Sequence, residues 1–128
     1  MSRQPDIEIY VRSGTVEELR DWLAKRLGPL TAEPSRGAMA KFVLQLDEVQ
    51  IPVRITTGAV GKAWTSVWLD SPDTPWADDL ACARDCCAHL GKEVRCAAGT
   101  WREGDDEDPD AFMQVTPEGE KAISWKTG

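Results

Sequence analysis

Hydrophobic and polar residues alternate at the start of this chain. Ile7, Ile9 and Val11 are separated by Glu8, Tyr10 and Arg12, the period of two that marks a half-buried strand. The period then changes. Val16, Leu19, Leu23 and Leu27 recur at helical spacing. Thr15, with Glu18 three residues on, forms a capping box at the start of that helix. Gly28 and Pro29 end it.

Alternation returns at Ala40, Phe42, Leu44 and Leu46, and again at Ile51, Val53 and Ile55. These predict two hairpin strands with a turn near Glu48, and Pro52 gives the second an edge position or a bulge. Thr31 to Ala38, broken by Pro34 and Gly37, reads as a loop. After a turn over Gly58 to Gly61, Thr65, Val67 and Leu69 alternate with Trp64, Ser66 and Trp68 in a further strand. A second helix is predicted from Thr74 as cap and Pro75 as first residue to Gly91, with Asp78 and Asp79 complementing its dipole. Glu93 to Ala97 reads as a short strand. Ala111 to Val115 and Lys121 to Trp125 read as a final hairpin across Pro117–Gly119.

These elements predict a single globular domain over residues 1–128. Its class is α+β, a two-layer sandwich with a mainly antiparallel sheet of about six or seven strands and two helices on one face. The predicted order is β-α-β-β-β-α-β-β-β. The covered sheet face would hold Ile7, Val11, Val53, Ile55 and Val67. The opposite face would then show Tyr10, Arg12, Lys41, Arg54, Trp64 and Trp68. An exposed aromatic and basic sheet face suits a protein partner, a stacked nucleotide or RNA, or a second copy in a homodimer. The competing expectation is that the loops or the C-terminal hairpin, with Trp101 and Trp125, fold over it.

Composition adds one core's worth of apolar residues, 41% of 128, and a bias toward Trp, with six among nine aromatics. The N-terminal residues are polar, and no stretch of about 18 apolar residues occurs. The expected location is the cytoplasm, with no membrane association and with the four Cys reduced.

Charge changes the picture more. Glu103, Asp105, Asp106, Glu107, Asp108 and Asp110 lie within eight residues with no Lys or Arg among them. The whole chain has 22 acidic and 15 basic residues, a net charge of −7; without that segment it has 16 against 15. The acidity is therefore local to one predicted loop, 103–110, on a nearly neutral body. It argues against DNA binding and favours a basic protein partner, with the adjacent Trp101 as an aromatic anchor. The loop is not an EF-hand: counted from Asp106, positions six and twelve hold Ala111 and Pro117 in place of Gly and Glu. A solvated charge run is the bland reading.

Candidate chemistry is sparse. Cys82, Cys86 and His89 fall on one stripe of the second predicted helix, beside Asp78, when Cys87 is placed with Trp76 on the core stripe at about 100° per residue. Thiolate, imidazole and carboxylate form a zinc-type donor set, and paired thiols a redox pair. The preferred reading is that these Cys act as small hydrophobic residues and that no metal or cofactor is bound. Gly58 to Lys62 lacks the spacing of a phosphate loop. His89 is the single histidine and has no nucleophile near it in sequence, so no catalytic residue is assigned.

Small size, cytosolic character and a local acidic patch resemble, as a class, bacterial immunity and inhibitor proteins, which neutralise basic toxins or nucleases. That resemblance implies a non-enzymatic protein-binding module acting through Trp101 and the carboxylates of Glu103 to Asp110. The alternatives are a metal- or redox-responsive module using Cys82, Cys86 and His89, and a nucleotide- or RNA-binding sheet face.

Overall fold

The computed structural model describes residues 5–97 and 110–126. It is an α+β structure with one antiparallel sheet of eight strands and two helices. In chain order the elements are β1 (Ile7–Arg12), α1 (Val16–Arg26), β2 (Leu30–Glu33), β3 (Met39–Leu46), β4 (Val49–Val60), β5 (Trp64–Leu69), α2 (Asp79–Leu90), β6 (Val94–Ala97), β7 (Ala111–Thr116) and β8 (Gly119–Ser124). In space the strands run β2-β3-β4-β5-β1-β6-β7-β8. The N-terminal strand thus lies inside the sheet, between β5 and β6, and among the described residues the edges are β2 and β8.

The strand count exceeds the expected six or seven because Leu30–Glu33, which overlaps the start of the Thr31–Ala38 stretch read as loop, is a strand. It pairs antiparallel with β3, Leu30 opposite Leu44 and Glu33 opposite Lys41. Leu30 and Ala32 do alternate with Thr31 and Glu33, but four residues are too few for a pattern to stand out, and Leu30 alone is even partly buried. Gly28 makes it possible. A Cβ there would stand 2.7 Å from the Gln45 carbonyl oxygen, so only glycine lets the chain pass so close to β3.

The capping box at Thr15 forms as expected. The Glu18 amide donates to Thr15 Oγ1 at 3.2 Å, and the Thr15 amide donates to Glu18 Oε1 at 2.9 Å. The second helix starts later than its sequence suggests. Asp78, not Thr74, is the cap, accepting from the Ala81 amide at 2.8 Å. Thr74 is buried and its hydroxyl donates to the Trp76 carbonyl. Gly91 ends α2 in a left-handed conformation, as expected. β4 runs on to Val60 through an irregularity between Thr56 and Val60, so the turn before β5 lies later than Gly58–Gly61.

One core unites both helices with one face of the sheet. Ile7, Ile9 and Val11, Val53 and Ile55, and Val67 and Leu69 pack with Leu19, Trp22 and Leu23 of α1 and with Cys82, Ala83 and Cys86 of α2. At roughly 25 cal/mol per Å² of apolar surface, each fully buried Leu or Ile stabilises by about 2 kcal/mol. Asp85 ties the two helices together. Its carboxylate accepts from Trp22 Nε1 at 3.1 Å, Trp76 Nε1 at 3.2 Å and Arg26 Nε at 2.5 Å. The Trp22 and Trp76 rings stack with centroids 5.5 Å apart. Among the described residues no helix is long and apolar enough to cross a membrane.

Candidate functional site

The period of two that buries Ile7, Ile9 and Val11 turns Glu8, Tyr10 and Arg12 to the face away from the helices. Register carries that face across the sheet. Tyr10 lies opposite Ser66 on one side and Arg95 on the other, Arg95 opposite Gln114, and Gln114 opposite Lys121. A second row runs through Glu33, Lys41, Arg54, Trp68 and Glu8. All six residues expected on this face, Tyr10, Arg12, Lys41, Arg54, Trp64 and Trp68, lie on it.

The face is partly covered. Trp125, just after β8, packs on Tyr10 (centroids 5.5 Å), Trp64 (4.8 Å) and Phe112 (5.0 Å). Trp64 is buried as a result. The Arg95 guanidinium lies between two indoles, 4.5 Å from the Trp64 centroid and 4.7 Å from that of Trp125. Each such cation–π contact is worth about 0.5–2 kcal/mol, more as water is excluded. Both expectations are met in part: Trp125 covers the Tyr10–Trp64 end, while Lys41, Arg54 and Trp68 stay partly open.

Glu93 holds this arrangement. It accepts from Arg95 Nε at 2.8 Å and Gln114 Nε2 at 2.7 Å, and lies 3.5 Å from Arg12 Nη1. Burial alone would raise its carboxyl, but the hydrogen bonds from Gln114 and Arg95 and the charges of Arg95 and Arg12 hold it below the ordinary range. The opposite happens at Glu8. Burial, then the charges of Asp79 and Asp6, push its carboxyl up, and a hydrogen bond with Tyr10 opposes this only partly. Trp68 Nε1 donates to Asp6 Oδ2 at 2.6 Å, so this indole is also held in place. Arg54 lies 3.9 Å from Glu33.

Sequence reasoning missed Arg95, Glu93, Gln114 and Phe112. The signal for Arg95 was present, since Val94 and Cys96 face the core and the residue between them must face away. Nothing local indicated that Arg95 would meet Trp125.

Of the acidic segment, Asp110 is described and is half-buried. Its carbonyl accepts from the Trp125 amide at 2.7 Å. Trp101, Glu103, Asp105, Asp106, Glu107 and Asp108 lie outside the described residues. The described residues on either side are Ala97, which pairs with Phe112, and Asp110, whose carbonyl accepts from the Trp125 amide.

The Cys/His stripe is corrected. Asp78 is engaged as the cap of α2, Cys82 and Cys86 are fully buried, and His89 is exposed. The expected core stripe took its phase from Trp76, which precedes the helix. The observed buried stripe instead centres on Cys82, Ala83 and Cys86, with Cys87 at its edge. Among the described residues no group of three or more His, Cys, Asp or Glu side chains could hold a metal ion. Burial pushes the Cys82 thiol well up, and the charges of Cys86 and Asp79 add to this. Burial, then Asp79 and Asp78, brings Cys96 to about 12. Such thiols are poor ligands and nucleophiles.

An open cavity of about 400 Å³ lies between the C-terminal half of α2 and the β7–β8 hairpin, lined by Arg84, Cys87, Val115, Pro117 and Glu120 among others. Arg84 and Glu120 form a two-pronged ion pair on its wall, at 2.7 and 3.0 Å. No family model, curated protein or solved structure matches this chain.

Proposed function

We propose that this chain is a small cytoplasmic protein-binding module without catalytic activity, an inhibitor or immunity-type protein whose acidic segment engages a basic partner. The observation that carries this reading is the root of the segment. Glu103 to Asp110 hold six of the excess negative charges, and the chain on either side is anchored beside Phe112 and Trp125. A concentration of negative charge joined in sequence to a described aromatic cluster suits a basic partner, the charge raising the association rate and the rings supplying buried area. Trp101 adds an aromatic side chain two positions before Glu103 in sequence.

Geometry favours this over base stacking. The Trp64 ring is occupied by Arg95 and Trp125, so a nucleobase would have to displace one of them. Arg95 and Arg12 are already paired with Glu93. The separation of Asp78, His89 and the buried thiols likewise gives the metal reading no support.

The test is affinity capture from the native cells with the wild-type chain and with a variant carrying Asn or Gln at all six acidic positions. A basic protein captured by the wild type in a salt-sensitive manner and lost by the variant is the expected result. Equal capture by both would remove the segment from the reading.

A further inference from the structure

The two edges of the sheet are guarded unequally. β2 has four residues and is followed at once by Pro34, both common devices against edge pairing. β8 has six residues, Gly119–Ser124, of which all but Ile123 are exposed. It contains no proline, and no register irregularity interrupts its pairing with β7. The Trp125 amide donates to the Asp110 carbonyl, which sets the phase of that ladder. Gly119, Lys121 and Ile123 turn their N–H and C=O groups toward β7; Glu120, Ala122 and Ser124 turn theirs outward.

We propose that the β8 edge pairs antiparallel with β8 of a second copy, joining two sheets into one about a two-fold axis at Ala122. Only axes at Lys121 or Ala122 pair five of the six strand residues with one another, and charge decides between these two. A two-fold axis perpendicular to the sheet sets each residue against one facing the same side. Centred on Lys121, it would bring the two Lys121 side chains together, which is destabilising. Centred on Ala122, it sets Lys121 against Ile123 of the other copy, Glu120 against Ser124, and Gly119 against Trp125. Continued one step past the strand, it brings Glu118 to Lys126 at both ends. This register opposes no like charges and adds two ion pairs. Ala122 of each copy exchanges both backbone hydrogen bonds with its mate. Strand pairing alone buries little surface, so the dimer is weak and forms as concentration rises.

The test is sedimentation velocity from micromolar to millimolar concentration on the wild-type chain, Ala122→Pro, Ala122→Lys and Ala32→Pro. Ala122→Pro removes an outward N–H without touching the β7 ladder, and Ala122→Lys sets two like charges face to face. Ala32→Pro is the matching change on β2, since the Gln45 amide's bond to the Pro29 carbonyl turns Ala32 outward there. The expected result is a concentration-dependent dimer for the wild type and Ala32→Pro, weakened at least tenfold in both Ala122 variants. Glu118→Lys weakens it several-fold, and adding Lys126→Glu restores it. A wild type that stays monomeric throughout would overturn the proposal. So would dimers unaffected by either Ala122 variant, which would place the contact on another surface.

Discussion

The Glu8 amide donates to the Asp79 carboxylate at 2.9 Å, across 71 positions of sequence. Two residues further along β1, Tyr10 lies opposite Arg95, and the Arg12 amide donates to the Glu93 carbonyl. In that ladder the Glu8 amide would meet Ala97, but the first residue of α2 takes it instead. Asp79 therefore lies where β6 parts from β1 and leads into the acidic segment. Asp79→Ala is expected to cost about 1 kcal/mol, the loss of one part-buried hydrogen bond whose donor water can reach. Asp79→Asn, which keeps an acceptor, costs less. Urea unfolding of the two variants checks this, and equal losses would show that the acceptor does not matter.

Glu8 carries the opposite sign. Burial and the charges of Asp79 and Asp6 raise its carboxyl, so its contribution to stability is fully present below the ordinary carboxylate range and is lost as pH rises through its folded value. Glu8→Gln should therefore unfold at a higher temperature than wild type at neutral pH, and the gain should vanish on acidification below the ordinary range. Thermal melts across that window provide the measurement.

Asp85 on α2 is tied to α1 through Trp22 and Arg26. Burial raises its carboxyl, but the hydrogen bonds from Trp22, Arg26 and Trp76 overcome this and lower it. Its contribution is present above the ordinary carboxylate range and lost as pH falls through its folded value. Asp85→Ala leaves the indole N–H of fully buried Trp22 without this acceptor. A loss of about 2–3 kcal/mol is expected at neutral pH, shrinking toward acid. Denaturant midpoints at several pH values check both the size and the trend.

Trp125 and Arg95 are expected to couple. Trp125→Ala should cost about 2 kcal/mol, the sum of partial burial and ring contacts. A double-mutant cycle with Arg95→Met should return about 0.5–2 kcal/mol of interaction. The near-ultraviolet circular dichroism of the Trp cluster should fall in both single variants. A coupling of zero would mean that Arg95 merely fills space.

The four thiols should be silent toward an aromatic disulfide reagent in the native state and all react after unfolding. All four are buried and each thiol is pushed up. Fast labelling of Cys87, which borders the open cavity, would show that its small exposure suffices for reaction.

Much of this architecture was legible from neighbouring residues. β1, β3, β4 and β5 follow from alternation, and α1 from its spacing and from Thr15 with Glu18. β2 was not legible, because the alternation in Leu30–Glu33 is only four residues long and mostly exposed, and the strand exists through the approach of Gly28 to Gln45. The phase of α2 was misread because Trp76 precedes the helix and reaches the core from a loop. Tyr10 and Trp64 were placed on the correct face, yet Arg95 and Glu93 were missed, because what makes them a site is Trp125.

Alternation, capping and the concentration of charge in Glu103 to Asp110 are set by residues a few positions apart, and the chain alone carries them. The placing of β1 between β5 and β6, the turning inward of Cys82 and Cys86, and the stacking of Arg95 between Trp64 and Trp125 required the folded molecule. Each depends on partners tens of residues away, and local spacing carries no information about which distant surfaces exclude water together.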